Sequence, residues 1–299
     1  MNNVILEYEG RFGKGRTLDD IVSWVETIPP MPEVASRALR LIDDPDSTPH
    51  EIAAVLARDP GLVSATMRAA NSASLGRAEA VNTVEEAVLV VGLGALKSLL
   101  LGLTLKRWNK NFGEIEKLIW EKSLGTAASA FVLATFFGKK YQETARLCGL
   151  LHNLGQIVML SNPEVRRDYP KVLDYIREHQ VEFDEAEREV IGYSHSLVGA
   201  MVARQWQLPM SICTTILNYT QPFDGIASAQ DEQTTLVKLS AALSMYAGLG
   251  CPPGHPLAGE TLFPLATALG FKEKDFGAYR SALAKQALAL YTTDSNTFN

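Results

Sequence analysis

The chain has 299 residues, of which 46% are hydrophobic and 21% are charged, so we expect a folded globular protein with one large core or two ordinary ones. The formal net charge of -6 provides no positive field, which disfavours nucleic acid and acidic membrane surfaces as partners. Three scattered cysteines without a CxxC pair, and an N-terminus without an apolar signal segment, predict a reduced, cytoplasmic protein.

Helix-start signals recur along the first third of the chain. Thr48 is placed to cap a helix that begins at Pro49, with Glu51 as its reciprocal partner three residues on. Asp59 can cap the next helix, and Thr83 can cap a third that stops at a glycine. These signals predict a succession of short helices.

The most apolar run, residues 87–105, is close in length to the roughly 20 residues of a membrane-spanning helix. However, Gly92 and Gly94 interrupt it near its centre, and Lys97 lies within it. We therefore predict two buried helices joined at the glycines and no membrane span.

The rest of the chain shows apolar stripes at helical spacing, and only residues 3–8 have a weak strand pattern. The predicted fold class is therefore all-α. Two loop-like stretches of sequence suggest boundaries, and we predict four segments. They are an N-terminal extension at 1–16, a smaller helical subdomain at 17–108, a larger one at 109–250, and a C-terminal loop and helical tail at 251–299. The tail can cap the larger subdomain or mediate self-association, and the sequence leaves both open.

Several motifs in order give the chain a family resemblance. They are the Pro-Pro-x-Pro opening, the "DPGL" helix start, "ANSA", "VEEAVLVVG", "GLLHNLGQIVML" and "GYSHSLVGAMVARQWQLP". Together they resemble the HDOD domain, the HD-related output domain of bacterial signalling proteins, over roughly residues 26–245. The resemblance implies two packed helical subdomains, the second similar to the HD phosphohydrolases.

An active HD site, as the resemblance implies, holds a divalent cation with a first histidine, an adjacent His-Asp pair and a late aspartate. Lys122 and Ser123 stand at the first position, and the pair falls on His152 and Asn153. Ala241 marks the late aspartate position, where Ser240 and Ala242 are also candidates. A protonated lysine cannot ligate and an asparagine offers only a neutral oxygen, so we predict no catalytic residue, no metal and no cofactor.

Two histidines have more than one interpretation, and two further residues are also considered. His152 is either a buried histidine satisfied by a neighbour or part of a residual polar pocket. His195, beside two serines, fits helix capping and a pocket role equally. Asn218 stands with Tyr219 where some HD relatives have paired histidines, and Cys148 fits a buried structural cysteine better than a nucleophile.

Two functions follow from these observations. The first is a non-enzymatic signal-transduction output or scaffold module that contacts an unidentified signalling protein through a surface patch, with Trp24, Trp108 and Trp120 as candidates. The alternative is a degenerate HD-type metal-dependent phosphohydrolase that retains nucleotide binding or weak activity. A DNA-reading helix-turn-helix is a remote third hypothesis, because its recognition helix carries few cations.

Overall fold

The computed structural model describes residues 17–72, 80–108, 113–138, 141–221, 232–252 and 259–298. Within these ranges the chain forms α-helices and no β-strand, so the all-α prediction is confirmed. The strand predicted at residues 3–8 lies outside the described ranges.

The described residues divide into two compact units. The smaller unit comprises residues 30–107 and 292–298, and the larger unit comprises residues 17–29 and 108–291. The helices in chain order are α1 (Leu18–Glu26), α2 (Glu33–Asp43), α3 (Pro49–Leu56), α4 (Pro60–Ala70), α5 (Val84–Val91), α6 (Leu93–Trp108), α7 (Glu114–Ala134), α8 (Gln142–Leu151), α9 (Leu154–Ser161), α10 (Pro163–His179), α11 (Phe183–Val190), α12 (His195–Gln205), α13 (Met210–Asn218), α14 (Glu232–Tyr246), α15 (Gly259–Ala268) and α16 (Glu273–Phe298).

The predicted helix starts in the smaller unit are confirmed. The Thr48 hydroxyl accepts a hydrogen bond from the Glu51 backbone N–H at 3.3 Å, and the Glu51 carboxylate accepts one from the Thr48 N–H at 2.8 Å. The Asp59 carboxylate accepts from two backbone N–H groups in the first turn of α4. Each cap satisfies N–H groups that a helix leaves unpaired at its start.

The apolar run at residues 87–105 bends where the sequence predicts a break. Gly92 has φ +79°, a conformation that favours glycine, and α5 and α6 meet there at 108°. Gly94 lies inside α6 and does not interrupt it. Within the described part of the chain, no single helix is long and apolar enough to cross a membrane, and this bent pair passes that test by length and composition only.

The boundaries of the larger unit differ from the predicted ones at both ends. Helix α1 belongs to it rather than to the smaller unit, since Trp24 contacts the Tyr193 ring at 5.9 Å and the Gln205 amide donates to the Ile28 carbonyl at 3.0 Å. The last turns of α16, from residue 292, belong to the smaller unit.

The core of the larger unit surrounds α7. Gly149 on α8 packs directly against α7, where a Cβ would lie 2.9 Å from the Ala127 Cα, so only glycine allows this approach. Helix α16 adds Phe276, Leu283 and Ala284 to the same apolar cluster, which is the capping role predicted for the tail. Tyr279 and Leu288 on that helix stay exposed, and self-association through them remains a prediction.

A second close crossing joins α9 to α12 and positions the candidate site. Gly155 on α9 and Gly199 on α12 face each other, and a Cβ on Gly155 would overlap the carbonyl oxygen of His195. This contact holds the start of α12 against the His152-Asn153 turn between α8 and α9.

Candidate functional site

Three of the seven predicted site residues line one cavity of about 410 Å³ in the larger unit. Lys122, His195 and Ala241 line this cavity together with Tyr219, whereas Ser123, His152 and Asn153 lie in the core. The remaining lining residues are Glu182, Phe183, Asp184, Thr220, Gln221, Lys238, Ala242, Met245, Pro264 and Leu265. We call this space the relic cavity, because it lies at positions that the HD resemblance assigns to metal ligands.

Lys122 is a buried cation, only 6% exposed. Its Nζ lies 4.4 Å from the centroid of the Phe183 ring, a cation-π contact. Gly250, at φ +64°, packs so closely that a Cβ there would overlap the Lys122 backbone. Burial lowers the pKa of Lys122 below its ordinary value, and nearby carboxylates, Glu182 foremost, oppose that shift without cancelling it.

Asn153 is held by structural hydrogen bonds. Its side-chain oxygen accepts from the Ser123 hydroxyl at 2.6 Å, and its amide nitrogen donates to the Ile119 carbonyl at 3.0 Å. All of these atoms are buried, and such bonds tie the turn before α9 to α7. Asn153 therefore has a structural role in the core of the larger unit.

His152 is fully buried, and only one of its two ring nitrogens has a hydrogen-bond partner among the described residues. Its Nδ1 lies 2.6 Å from the Gly149 carbonyl oxygen, so Nδ1 carries the proton and donates it. Burial, aided by the Lys122 charge, holds the pKa of His152 well below its ordinary value, so the ring is neutral. Its Nε2 has no hydrogen-bond partner among the described residues, and the ring meets Tyr219 edge-on, with centroids 4.9 Å apart.

His195 belongs to a buried network whose centre is Glu187. One Glu187 oxygen accepts from the His195 backbone N–H at 2.8 Å and from His195 Nδ1 at 2.5 Å. The other accepts from the Tyr169 hydroxyl at 2.6 Å and the Gln156 amide at 3.1 Å. His195 Nε2 is hydrogen-bonded to the Tyr219 hydroxyl, so the network reaches the relic cavity.

The ionisation of this network follows from its contacts. Burial alone raises the pKa of Glu187, but the charge and hydrogen bonds of His195 outweigh it and bring that pKa below its ordinary value. Burial and nearby carboxylates raise the pKa of Tyr219 well above its ordinary value. Tyr219 therefore keeps its proton, and its hydroxyl stays hydrogen-bonded to His195 Nε2.

Asp184, Glu187 and His195 are the described residues whose donor atoms have a spacing suited to a metal ion, all within 4.8 Å of one another. Those atoms are already in use: Ser196 donates to one Asp184 oxygen at 2.7 Å and Arg188 pairs with the other. Glu187 and His195 bond to each other. With a lysine ammonium at the first ligand position, this donor set does not fit a divalent cation.

Other predicted residues lie apart from the relic cavity or play no chemical part in it. Asn218 is half-buried near the end of α13 and does not line the cavity, while its neighbour Tyr219 does. Ser240 donates to the Leu236 carbonyl within α14 at 2.6 Å. Burial raises the pKa of Cys148 to about 12, so its thiol is inert as a nucleophile at neutral pH.

Glu187, Tyr169 and Gln156 were not predicted as site residues. The signal for Glu187 was available, because it shares the helical stripe of Phe183 and Ala186, where a carboxylate interrupts an apolar face. Tyr169 and Gln156 gave no such signal. A larger cavity of about 610 Å³, beside α1 and α10, contains none of the predicted site residues.

A family model described as HDOD domain matches residues 28–222. A curated protein of Treponema pallidum (strain Nichols), named as uncharacterized, is 30% identical over 204 residues, which is 66% of this chain and 38% of that protein. The chain therefore spans well under half the length of that relative.

Solved structures share the fold. An HDOD domain protein of unknown function from Geobacter sulfurreducens aligns with TM-score 0.73 and 22% identity, over 93% of this chain and 99% of that one. A protein of Shewanella amazonensis SB2B named as a candidate phosphohydrolase aligns with TM-score 0.68 and 20% identity, over 91% and 97%. A candidate signal transduction protein of Marinobacter aquaeolei VT8 aligns with TM-score 0.68 and 21% identity, over 98% of this chain and 64% of that one. At these identities the likeness shows an HD-like helical fold alone.

Proposed function

The chain belongs to the HDOD domain family, and from this membership we propose that it is a cytoplasmic bacterial signal-transduction module that acts through protein contacts and not by catalysis. The proposal has two parts, the loss of metal-dependent chemistry at the relic cavity and the use of the molecular surface for output.

The observation that carries the first part is the buried ammonium of Lys122. An HD enzyme needs a divalent cation beside its first ligand position, and here a lysine side chain stands at that position with 6% exposure. Two cations a few ångströms apart in a low-dielectric site repel each other strongly. Lys122 therefore opposes metal binding in addition to providing no ligand.

The neighbouring groups support the same conclusion. Asn153 uses both ends of its amide in hydrogen bonds to Ser123 and Ile119. The carboxylates of Asp184 and Glu187 are occupied by Ser196, Arg188 and His195. Binding a metal would require breaking these buried bonds, which is costly unless the metal replaces all of them.

One observation favours the alternative, a degenerate phosphohydrolase that keeps nucleotide binding or weak activity. His152 is neutral, and its Nε2 has no hydrogen-bond partner in the described ranges. A neutral imidazole with its other nitrogen bonded to a carbonyl is the usual state of a metal-ligating histidine. A single such ligand does not hold a divalent ion against water.

The surface for output has a candidate in the smaller unit. Leu89 and Leu93 are 64% and 46% exposed and flank the bend at Gly92. Because large apolar side chains at a protein surface are the groups that a partner can bury, these two are the residues we assign to the contact. Of the tryptophans considered for this role, Trp120 is 6% exposed and belongs to the core, while Trp24 packs on Tyr193 and Trp108 on Trp206.

The catalytic part is tested by assaying the full chain with p-nitrophenyl phosphate and bis(p-nitrophenyl) phosphate, with and without Mn²⁺. We expect no turnover above the rate of buffer and metal alone. Turnover that needs Mn²⁺ and disappears in His152→Ala would favour the alternative. For the contact part, proteins crosslinked to the wild type in the source cell are compared with those crosslinked to Leu89→Ser/Leu93→Ser, and a specific partner should be lost.

A further inference from the structure

We propose that the relic cavity binds a small organic monoanion, a carboxylate with an apolar body, whose charged end pairs with Lys122. This goes beyond the proposed output function, because it gives the module a chemical input. The inference combines an unpaired buried charge, a helix start and an apolar wall at one cavity.

The Lys122 side chain is only 6% exposed, and its ammonium has no hydrogen bond or ion pair with any residue in the described ranges. Its one close partner is the face of Phe183. A buried cation is unfavourable unless an opposite charge compensates it. A cavity beside such a charge suits an anionic ligand.

The carboxylates around the cavity do not supply that compensation directly. Asp184 is engaged by Ser196 and Arg188, and Glu187 by His195. Glu182 lies at the cavity lining as an exposed residue. Each acts on Lys122 through space, without an ion pair, so the ammonium remains available to a ligand.

The start of α11 adds a second feature that favours an anion. Its first residues, Phe183 and Asp184, line the cavity together with Glu182, which precedes the helix. Helix starts carry a partial positive charge and unpaired N–H groups, and both favour negative groups.

The rest of the wall selects a ligand with an apolar body and a single charge. Six of the fourteen lining residues are apolar: Phe183, Ala241, Ala242, Met245, Pro264 and Leu265. A volume of about 410 Å³ lies in the usual range for small-molecule sites. Two lysines, Lys122 and Lys238, and two carboxylates, Glu182 and Asp184, line the cavity, so the lining has no excess of positive charge, which disfavours ligands with several negative charges such as nucleotides.

The residues that stand at the HD ligand positions thus make the cavity more favourable to an anion. The HD pattern places an imidazole and a carboxylate around a cation, whereas this chain has an ammonium at Lys122 and a methyl group at Ala241. Without a carboxylate at residue 241, an anion meets no repulsion from α14 at that point.

The test is isothermal titration calorimetry on the full chain with hexanoate, benzoate and phenylacetate as probes. Hexan-1-ol and hexylamine are the uncharged and cationic controls for hexanoate, and inorganic phosphate and AMP test the other anion classes. We expect at least one of the three acids to bind, and its neutral and cationic counterparts to bind at least about tenfold more weakly.

Lys122→Met removes the charge at similar volume, and Lys171→Met, at an exposed lysine paired with Asp168, is the matched control. We expect Lys122→Met to weaken acid binding at least about tenfold and to raise the melting temperature without ligand, because an unpaired buried charge is replaced by an apolar chain. Lys171→Met should do neither.

A second variant, Ala241→Asp, restores a carboxylate at the wall and should abolish acid binding by repulsion while circular dichroism remains that of the wild type. If Lys122→Met does not fold, acid binding by Ala241→Asp tests the inference without it. Binding unchanged in either variant, equal binding of hexan-1-ol, preference for phosphate or AMP, or no response to any of the three acids would overturn the inference.

Discussion

Glu187 accepts two hydrogen bonds from His195 on a single oxygen, from the backbone N–H at 2.8 Å and from Nδ1 at 2.5 Å. Both residues are fully buried. The bond to the backbone caps the start of α12 from outside the helix, in place of the neighbouring serines. The bond to the ring fixes which nitrogen of His195 faces Tyr219. One carboxylate therefore joins α11, α12 and the relic cavity.

Glu187→Gln should lower the free energy of unfolding by about 3 kcal/mol, because it removes one partner of a buried, hydrogen-bonded charge pair. Urea unfolding at pH 7 measures the change. Glu185→Gln on the same helix is the control, since Glu185 is exposed, and it should stay within about 0.5 kcal/mol of the wild type. Equal effects of the two variants would contradict a structural role for the network.

The difference between wild type and Glu187→Gln should also depend on pH. The pKa of Glu187 is lowered in the folded state from its ordinary 4.5, so its stabilising contribution is complete above the unfolded-state pKa and is lost as pH falls through the folded-state pKa. The two unfolding free energies should therefore converge in acid. A constant difference across that window would show that the Glu187 charge contributes nothing.

His152→Gln should make the protein less sensitive to mild acid. The pKa of His152 is well below 6.5 in the folded state, so the wild type loses stability as pH falls below 6.5, by up to about 1.4 kcal/mol per pH unit from this group. Urea unfolding at pH 7 and pH 5.5 gives the slope. His179→Gln, at an exposed histidine stacked on Tyr175, should keep the wild-type slope, and a wild-type slope in His152→Gln would contradict the prediction.

Asn153→Ala should destabilise the protein by about 2 kcal/mol, because it removes the buried hydrogen bonds that join Asn153 to the Ser123 hydroxyl and the Ile119 carbonyl. Asn218→Ala is the comparison, since the Asn218 side chain makes no hydrogen bond within the described residues and is half-buried. Thermal unfolding of both variants decides the point. Similar melting temperatures would mean that Asn153 is not a structural residue.

Gly155→Ala should prevent folding or cost more than about 3 kcal/mol, because a Cβ there overlaps the His195 carbonyl at a helix crossing. Gly277→Ala is the opposite case. A Cβ at Gly277 would lie 3.5 Å from the Phe263 ring, in ordinary contact, and alanine inside a helix should stabilise by about 0.5–1 kcal/mol. Calorimetric melting temperatures should thus shift in opposite directions.

Local rules were enough to predict the helix starts at Thr48 and Asp59 and the bend at Gly92, because caps and glycine conformations depend on neighbouring residues. The positions of Lys122 and Asn153 came from the family resemblance. The Glu187 network was missed because its partners, Tyr169 and His195, are brought together by packing. For His195 the sequence left capping and a pocket role open: the residue lines the cavity, and its backbone N–H is capped by Glu187, eight residues earlier.

The most direct test of the central claim is the metal content of untagged full-length protein purified without chelator, measured by inductively coupled plasma mass spectrometry. The Lys122 ammonium and the occupied carboxylates of Asp184 and Glu187 predict manganese, iron and zinc far below one ion per chain. Near-stoichiometric metal in the wild type that falls in His152→Ala would contradict the account and identify the cavity as a working HD metal site.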